Sequence, residues 1–141
     1  MSVRFIIPGR LDGLNTYIWA CRANPYKGNK LREENQAICV GEIRKQLRGI
    51  HISSPAFLCF SWYEPNRRRD PDNISSFGRK VIQDALVSCG VLKDDGWKYI
   101  VGFADHFYID RENPRIEVEI ESVICRAGIS HSLEYSKGSD K

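Results

Sequence analysis

Residues 56–90 read AFLCFSWYEPNRRRDPDNISSFGRKVIQDALVSCG, and three kinds of patterning follow one another within them. Ala56 to Tyr63 is aromatic on both alternating faces and bounded by Pro55 and Pro65, which predicts a strand buried on both sides near the centre of a sheet. From about Ile74 to Cys89, the residues Ile74, Phe77, Val81, Ile82, Ala85, Leu86 and Cys89 recur at three-four spacing, the pattern of a helix with one face on a core. Gly90 follows where a helix C-terminus favours glycine. Between strand and helix lies Asn66–Asn73, a loop of both charge signs where a rigid scaffold commonly holds a site.

Toward the N-terminus, Val3 to Pro8 is a short apolar run ending in Pro-Gly, a first strand closing into a turn that Asp12, Gly13 and Asn15 prolong. Leu14 to Cys21 and Leu31 to Leu47 predict helices around an Asn24-Pro25 break. Toward the C-terminus, Trp97 to Ile109 is aromatic and β-branched. Glu112-Asn113-Pro114 turns the chain, and Ile116, Val118 and Ile120 alternate with Glu117, Glu119 and Glu121, so a hairpin with one wet face is expected. From about Ala127 periodicity stops, which marks 127–141 as a flexible tail behind one domain over 1–126. The order β-α-α-β-α-β-β predicts a single-domain α/β fold, a mixed β-sheet with helices packed against it.

A chain of 141 residues is long enough for one modest core, and its net charge of +3 permits nucleic acid without demanding it. Its five cysteines are odd in number and scattered, which suits reduced packing thiols in a cytoplasmic setting. No apolar stretch reaches the length of a membrane span, and the first residues hold no apolar core of signal-peptide length. The sequence carries no glycine-rich phosphate loop, nucleophile elbow or zinc signature, and His51, His106 and His131 have no metal-ligand spacing. No small-molecule cofactor is expected.

The chemistry concentrates at Asp70-Pro71-Asp72. Two carboxylates around a proline of fixed φ can aim at one point, and Asp-x-Asp is a common holder of a hard cation, with magnesium the natural candidate and manganese a substitute. Such an ion neutralises charge on a scissile phosphate and lowers the pKa of bound water. A third acidic ligand should come from elsewhere, and Asp94 and Asp95 in the turn after the helix are the suppliers at hand. That helix is ~24 Å long, so the chain beyond it must fold back along the sheet if a third ligand is to join the first two. Arg67, Arg68 and Arg69, with Asn73, are placed to grip backbone phosphates beside the ion. Arg22, Lys27, Lys30 and Arg32, interleaved with Tyr17, Trp19 and Tyr26, form a second basic and aromatic cluster suited to a DNA strand.

RRRDPDN, then a helix with Lys80 and Gln83-Asp84-Ala85-Leu86, then Gly90 and Leu92-x-Asp94-Asp95, resembles the RusA-type Holliday-junction resolvases, and looks most like their phage or prophage branch. The likeness is close over about Asn66 to Asp95 and loose in the order of strands around it, with the Leu14-Asn15 turn matching the family's N-terminal asparagine. It implies a homodimeric, RusA-like α/β endonuclease that nicks four-way branched DNA symmetrically in recombination and repair. The implied magnesium ligands are Asp70, Asp72 and Asp95, with Asp94 as the alternative third, and Lys80 is the implied catalytic lysine. Compact family members place that lysine four residues after the second aspartate, whereas Lys80 lies eight after Asp72, as if a helical turn of ~6 Å were inserted. Ser76 holds the literal position without a charge, and Arg79 is a substitute. The same residues also allow a non-catalytic junction or single-strand DNA-binding protein. They allow, too, an interaction protein in which Asp70 and Asp72 only cap a helix.

Overall fold

In a computed structural model that describes residues 2–123, the alternation along Ala56–Tyr63 resolves into two unequal faces. The strand β2 (Ala56–Glu64) buries Ala56, Leu58, Phe60, Trp62 and Glu64, while Phe57 is exposed and Cys59, Ser61 and Tyr63 are half-buried. The expectation of burial on both sides is therefore corrected: among the described residues, helices cover one face. On the other face Tyr63 is partly covered by neighbours within the sheet. Tyr63 stacks on Tyr108 at 4.8 Å, and the Arg115 guanidinium lies 3.8 Å over its ring.

Around β2 run β1 (Ser2–Pro8), α1 (Leu14–Ala23), α2 (Pro25–Gln46), α3 (Pro71–Ser88), β3 (Ile100–Ile109) and β4 (Arg115–Ser122), so the element order is the predicted one. The four strands form one mixed sheet in the order β1-β4-β2-β3, with β4 antiparallel to both neighbours and β2 parallel to β3. β3 and β4 do not form the expected hairpin, because β2 lies between them. The Asp110–Pro114 connection crosses the end of β2, where Asp110 N–H donates to Glu64 C=O at 2.8 Å. Burial explains the choice. Ile116, Val118 and Ile120 face the core with Phe5, Ile7 and Leu58, so β4 takes an interior place, while β3, with exposed Val101, Phe103 and Phe107, takes the edge.

Two helices begin earlier than predicted, for the same reason. Proline at the first helical position loses no hydrogen bond and has its φ preset. α2 starts at Pro25 rather than Leu31, with Asn24 Oδ1 accepting from Lys27 N–H at 2.8 Å, and α3 starts at Pro71 rather than Ile74. The apolar stripe of α3 is as read: Ile74, Phe77, Val81, Ile82, Ala85 and Leu86 are buried, joining Cys39 and Ile43 of α2 and the inner sheet face in one core. Cys39 is buried and Cys21 exposed, and the four cysteines among the described residues are free. Cys125 and the expected tail at 127–141 lie outside the described residues. Among the described residues no helix is long and apolar enough to cross a membrane.

Candidate functional site

The loop between β2 and α3 is shaped by its own side chains. Asn66 Oδ1 accepts from Arg68 N–H at 3.0 Å, which turns the chain and leaves Arg67 and Arg68 exposed. Arg69 turns inward and donates to Leu11 C=O at 2.9 Å. Burial, then repulsion from Arg10, hold its guanidinium below the ordinary value. Arg10 donates twice to the buried Glu64, through Nε at 3.1 Å and Nη2 at 2.9 Å, and both bonds fall on Oε1.

Asp70 occupies the N-cap of α3 without making a capping bond, and Asp72 stands exposed in the first turn. Both carboxylates thus sit at the positive end of the helix dipole, which favours them there. Asn73 points elsewhere. Its Oδ1 accepts from Asn15 N–H at 2.8 Å, and Gly13 lies so close that a Cβ there would stand 2.7 Å from that oxygen. Asn73, expected to touch DNA, thus clamps the β1–α1 loop onto α3. The same loop is held on α2 by Asn35, which exchanges bonds of 2.9 and 2.8 Å with Asp12.

Beyond α3 the chain does fold back. Gly90, at φ +78, supplies the left-handed residue that ends the helix, and Leu92 bridges to Ile52. Asp95 then returns to the middle of α3, where its Oδ2 accepts from Lys80 Nζ at 3.2 Å. Lys80 also pairs with Asp84 at 3.2 Å, and the bond to Asp95, more than any other cause, raises its pKa. Asp94 is exposed. Asp72 and Lys80 are eight residues apart, or ~12 Å along a helix axis.

The structure therefore makes two acidic groups on α3, Asp70 with Asp72 at its start and Asp84 with Asp95 around Lys80. Among the described residues no three His, Cys, Asp or Glu side chains stand where they could hold one metal ion. The donor set suits a hard cation in kind, since all are carboxylate oxygens and Asp70 makes no cap bond, but not in placement.

Arg79 is tied to the edge strand, bonded to Asp105 and 4.5 Å over the Phe103 ring, while Asp105 also accepts from Trp62 Nε1 at 2.9 Å. Ser76 donates to Asp72 C=O at 2.7 Å. The second basic cluster divides. Tyr17 stacks on Phe77 at 4.6 Å and Arg32 pairs with Asp84 at 3.2 Å, whereas Arg22, Lys27 and Lys30 are exposed, with Trp19 at 75% and Tyr26 at 71% of their full area.

Glu64 and Asn35 were outside the sequence-based site, yet each carries a signal. Glu64 continues the inward parity 56-58-60-62 of β2, and Asn35 lies four residues before Cys39 and eight before Ile43 on the buried stripe of α2. No family model matches the chain, and no curated protein matches it.

Proposed function

We propose that this chain is a magnesium-dependent endonuclease of the RusA type, which resolves Holliday junctions by paired symmetric nicks in cytoplasmic DNA recombination and repair. One observation carries the reading: a single helix presents Asp70 and Asp72, free of a capping bond, beside the exposed Arg67 and Arg68, and the chain beyond it returns Asp95 to Lys80 on that same helix. Asp70, Asp72 and Asp95 are the oxygen donors in this reading. It requires Asp95 to give up its contact with Lys80, because the two acidic groups stand apart. Arg67 and Arg68 grip phosphates on either side of the cut, and bidentate guanidinium–phosphate bonds set the strand's register. Lys27 and Lys30, with Trp19 and Tyr26, track a second stretch of backbone through charge and stacking. Two symmetric cuts call for two copies of the chain, hence a homodimer.

The test is a synthetic four-way junction with magnesium. The wild type should cut it, and Asp72→Asn should bind it without cutting; equal cutting by both proteins refutes the assignment. The separation of Asp95 from Asp70 and Asp72 favours a second reading, a non-catalytic junction or single-strand DNA-binding protein. That reading predicts salt-sensitive junction binding and no product with any divalent metal.

A further inference from the structure

We propose that the cleft between the Asn66–Pro71 loop and β3 receives one unstacked nucleobase of the strand being cut. The inference rests on the endonuclease reading and deepens it by naming what sits beside Asp70. The cleft has a volume of about 480 Å³ and Asp70 among the residues that line it, and ligand pockets run from about 300 to 1,000 Å³.

Its wall is unusual for an inward sheet face. Phe107 and Ile109 pair in register with the buried Trp62 and Glu64 and so share their side of the sheet, yet they remain 38% and 45% exposed because β3 runs beyond the cover of the helices. Ile74 and Pro71 of α3 line the cleft with them. An aromatic ring and aliphatic side chains along the cleft suit the flat face of any base, since stacking is indifferent to base identity.

Glu64 also lines the cleft, and its charge is balanced, because Arg10 puts both its bonds on Oε1. Oε2 is then available to an exocyclic amino group, the contact by which carboxylates read base edges. Arg67 and Arg69 line the same cleft and supply positive charge for the flanking phosphates. Drawing out a base costs least where stacking is already interrupted, as at a branch point.

The experiment uses the full chain and four-way junctions carrying 2-aminopurine at each nucleotide flanking the mapped nick, bound in EDTA. One position should brighten with the wild type. Phe107→Ala should abolish that rise and weaken junction binding by ~5-fold to ~150-fold, the range for one base stacked on an aromatic ring, with an unchanged circular dichroism spectrum. Thymine, which lacks an amino group, should weaken binding at the brightening position and nowhere else. If the wild type binds and cuts while no position brightens, or Phe107→Ala brightens equally, the base site is wrong and the endonuclease reading stands. If Phe107→Ala instead changes the oligomeric state, this wall is a subunit contact and the base site is overturned. If the wild type neither binds nor cuts junctions, both readings fall.

Discussion

Replacing Asp72 by asparagine removes one negative charge from the first turn of α3 and keeps the side chain's shape. Asp72 is not the helix N-cap, a place held by Asp70, so a capping bond is not at stake. What is lost is the attraction of a carboxylate to the helix dipole, ~0.3–1 kcal/mol, offset in part by relief from Asp70. The ion-free variant should therefore melt within about 4 °C of the wild type. Magnesium changes the comparison. An ion held only by the folded state adds ~2.7 kcal/mol at a hundred times its dissociation constant, more than the whole dipole contribution. Thermal melts with and without magnesium should show a rise for the wild type and none for Asp72→Asn. An equal rise in both proteins would refute the ligand role. An ion-free loss above ~2 kcal/mol would refute the premise that Asp72 bears no structural bond.

Arg10→Ala leaves the buried Glu64 carboxylate without its cation. Because Arg10's side chain is itself 32% exposed, the cost in urea denaturation should be ~1–3 kcal/mol, below that of a fully buried pair, and Arg10→Ala/Glu64→Gln should recover part of it. Burial pushes the Cys39 thiol up to about 12, so in the native protein at pH 8 an alkylating reagent should modify the exposed Cys21 and spare Cys39 until denaturant is added. Arg115 lowers the pKa of Asp110, a stabilisation present above the ordinary carboxylate value and lost as pH falls through the folded one. Asp110→Asn should then be less stable than the wild type at pH 7, with the gap narrowing as pH falls below the ordinary carboxylate value, by denaturation at each pH.

The parts of the fold written in local periodicity were legible in the sequence. The stripe Ile74-Phe77-Val81-Ile82-Ala85-Leu86 and the alternation of Ile116, Val118 and Ile120 each bury as their spacing requires. The partner of each strand was not legible, because a turn at Glu112-Asn113-Pro114 looks the same whether the strands beside it pair with each other or flank a third. Asn24-Pro25 reads as a break when only propensity is weighed, yet cap and proline together begin a helix. At the site, the length of α3 made a fold-back of Asp95 a condition of the shared-ion reading rather than something the sequence spelled out. Its contact with Lys80 depends on how Gly90, Val91 and Leu92 tuck under the helix, which tertiary packing decides. The clamp from Asn73 to Asn15 was hidden for the same reason, as a polar side chain in a charged loop does not announce whether it faces solvent or a neighbouring turn.

Mapping the ends of the DNA produced when the purified protein meets a four-way junction in magnesium probes the central claim most directly. Nicks at matching positions in two opposed strands, absent in EDTA and absent with Asp70→Asn, are the predicted result. Intact strands under every divalent metal, or the same nicks from Asp70→Asn, would contradict it.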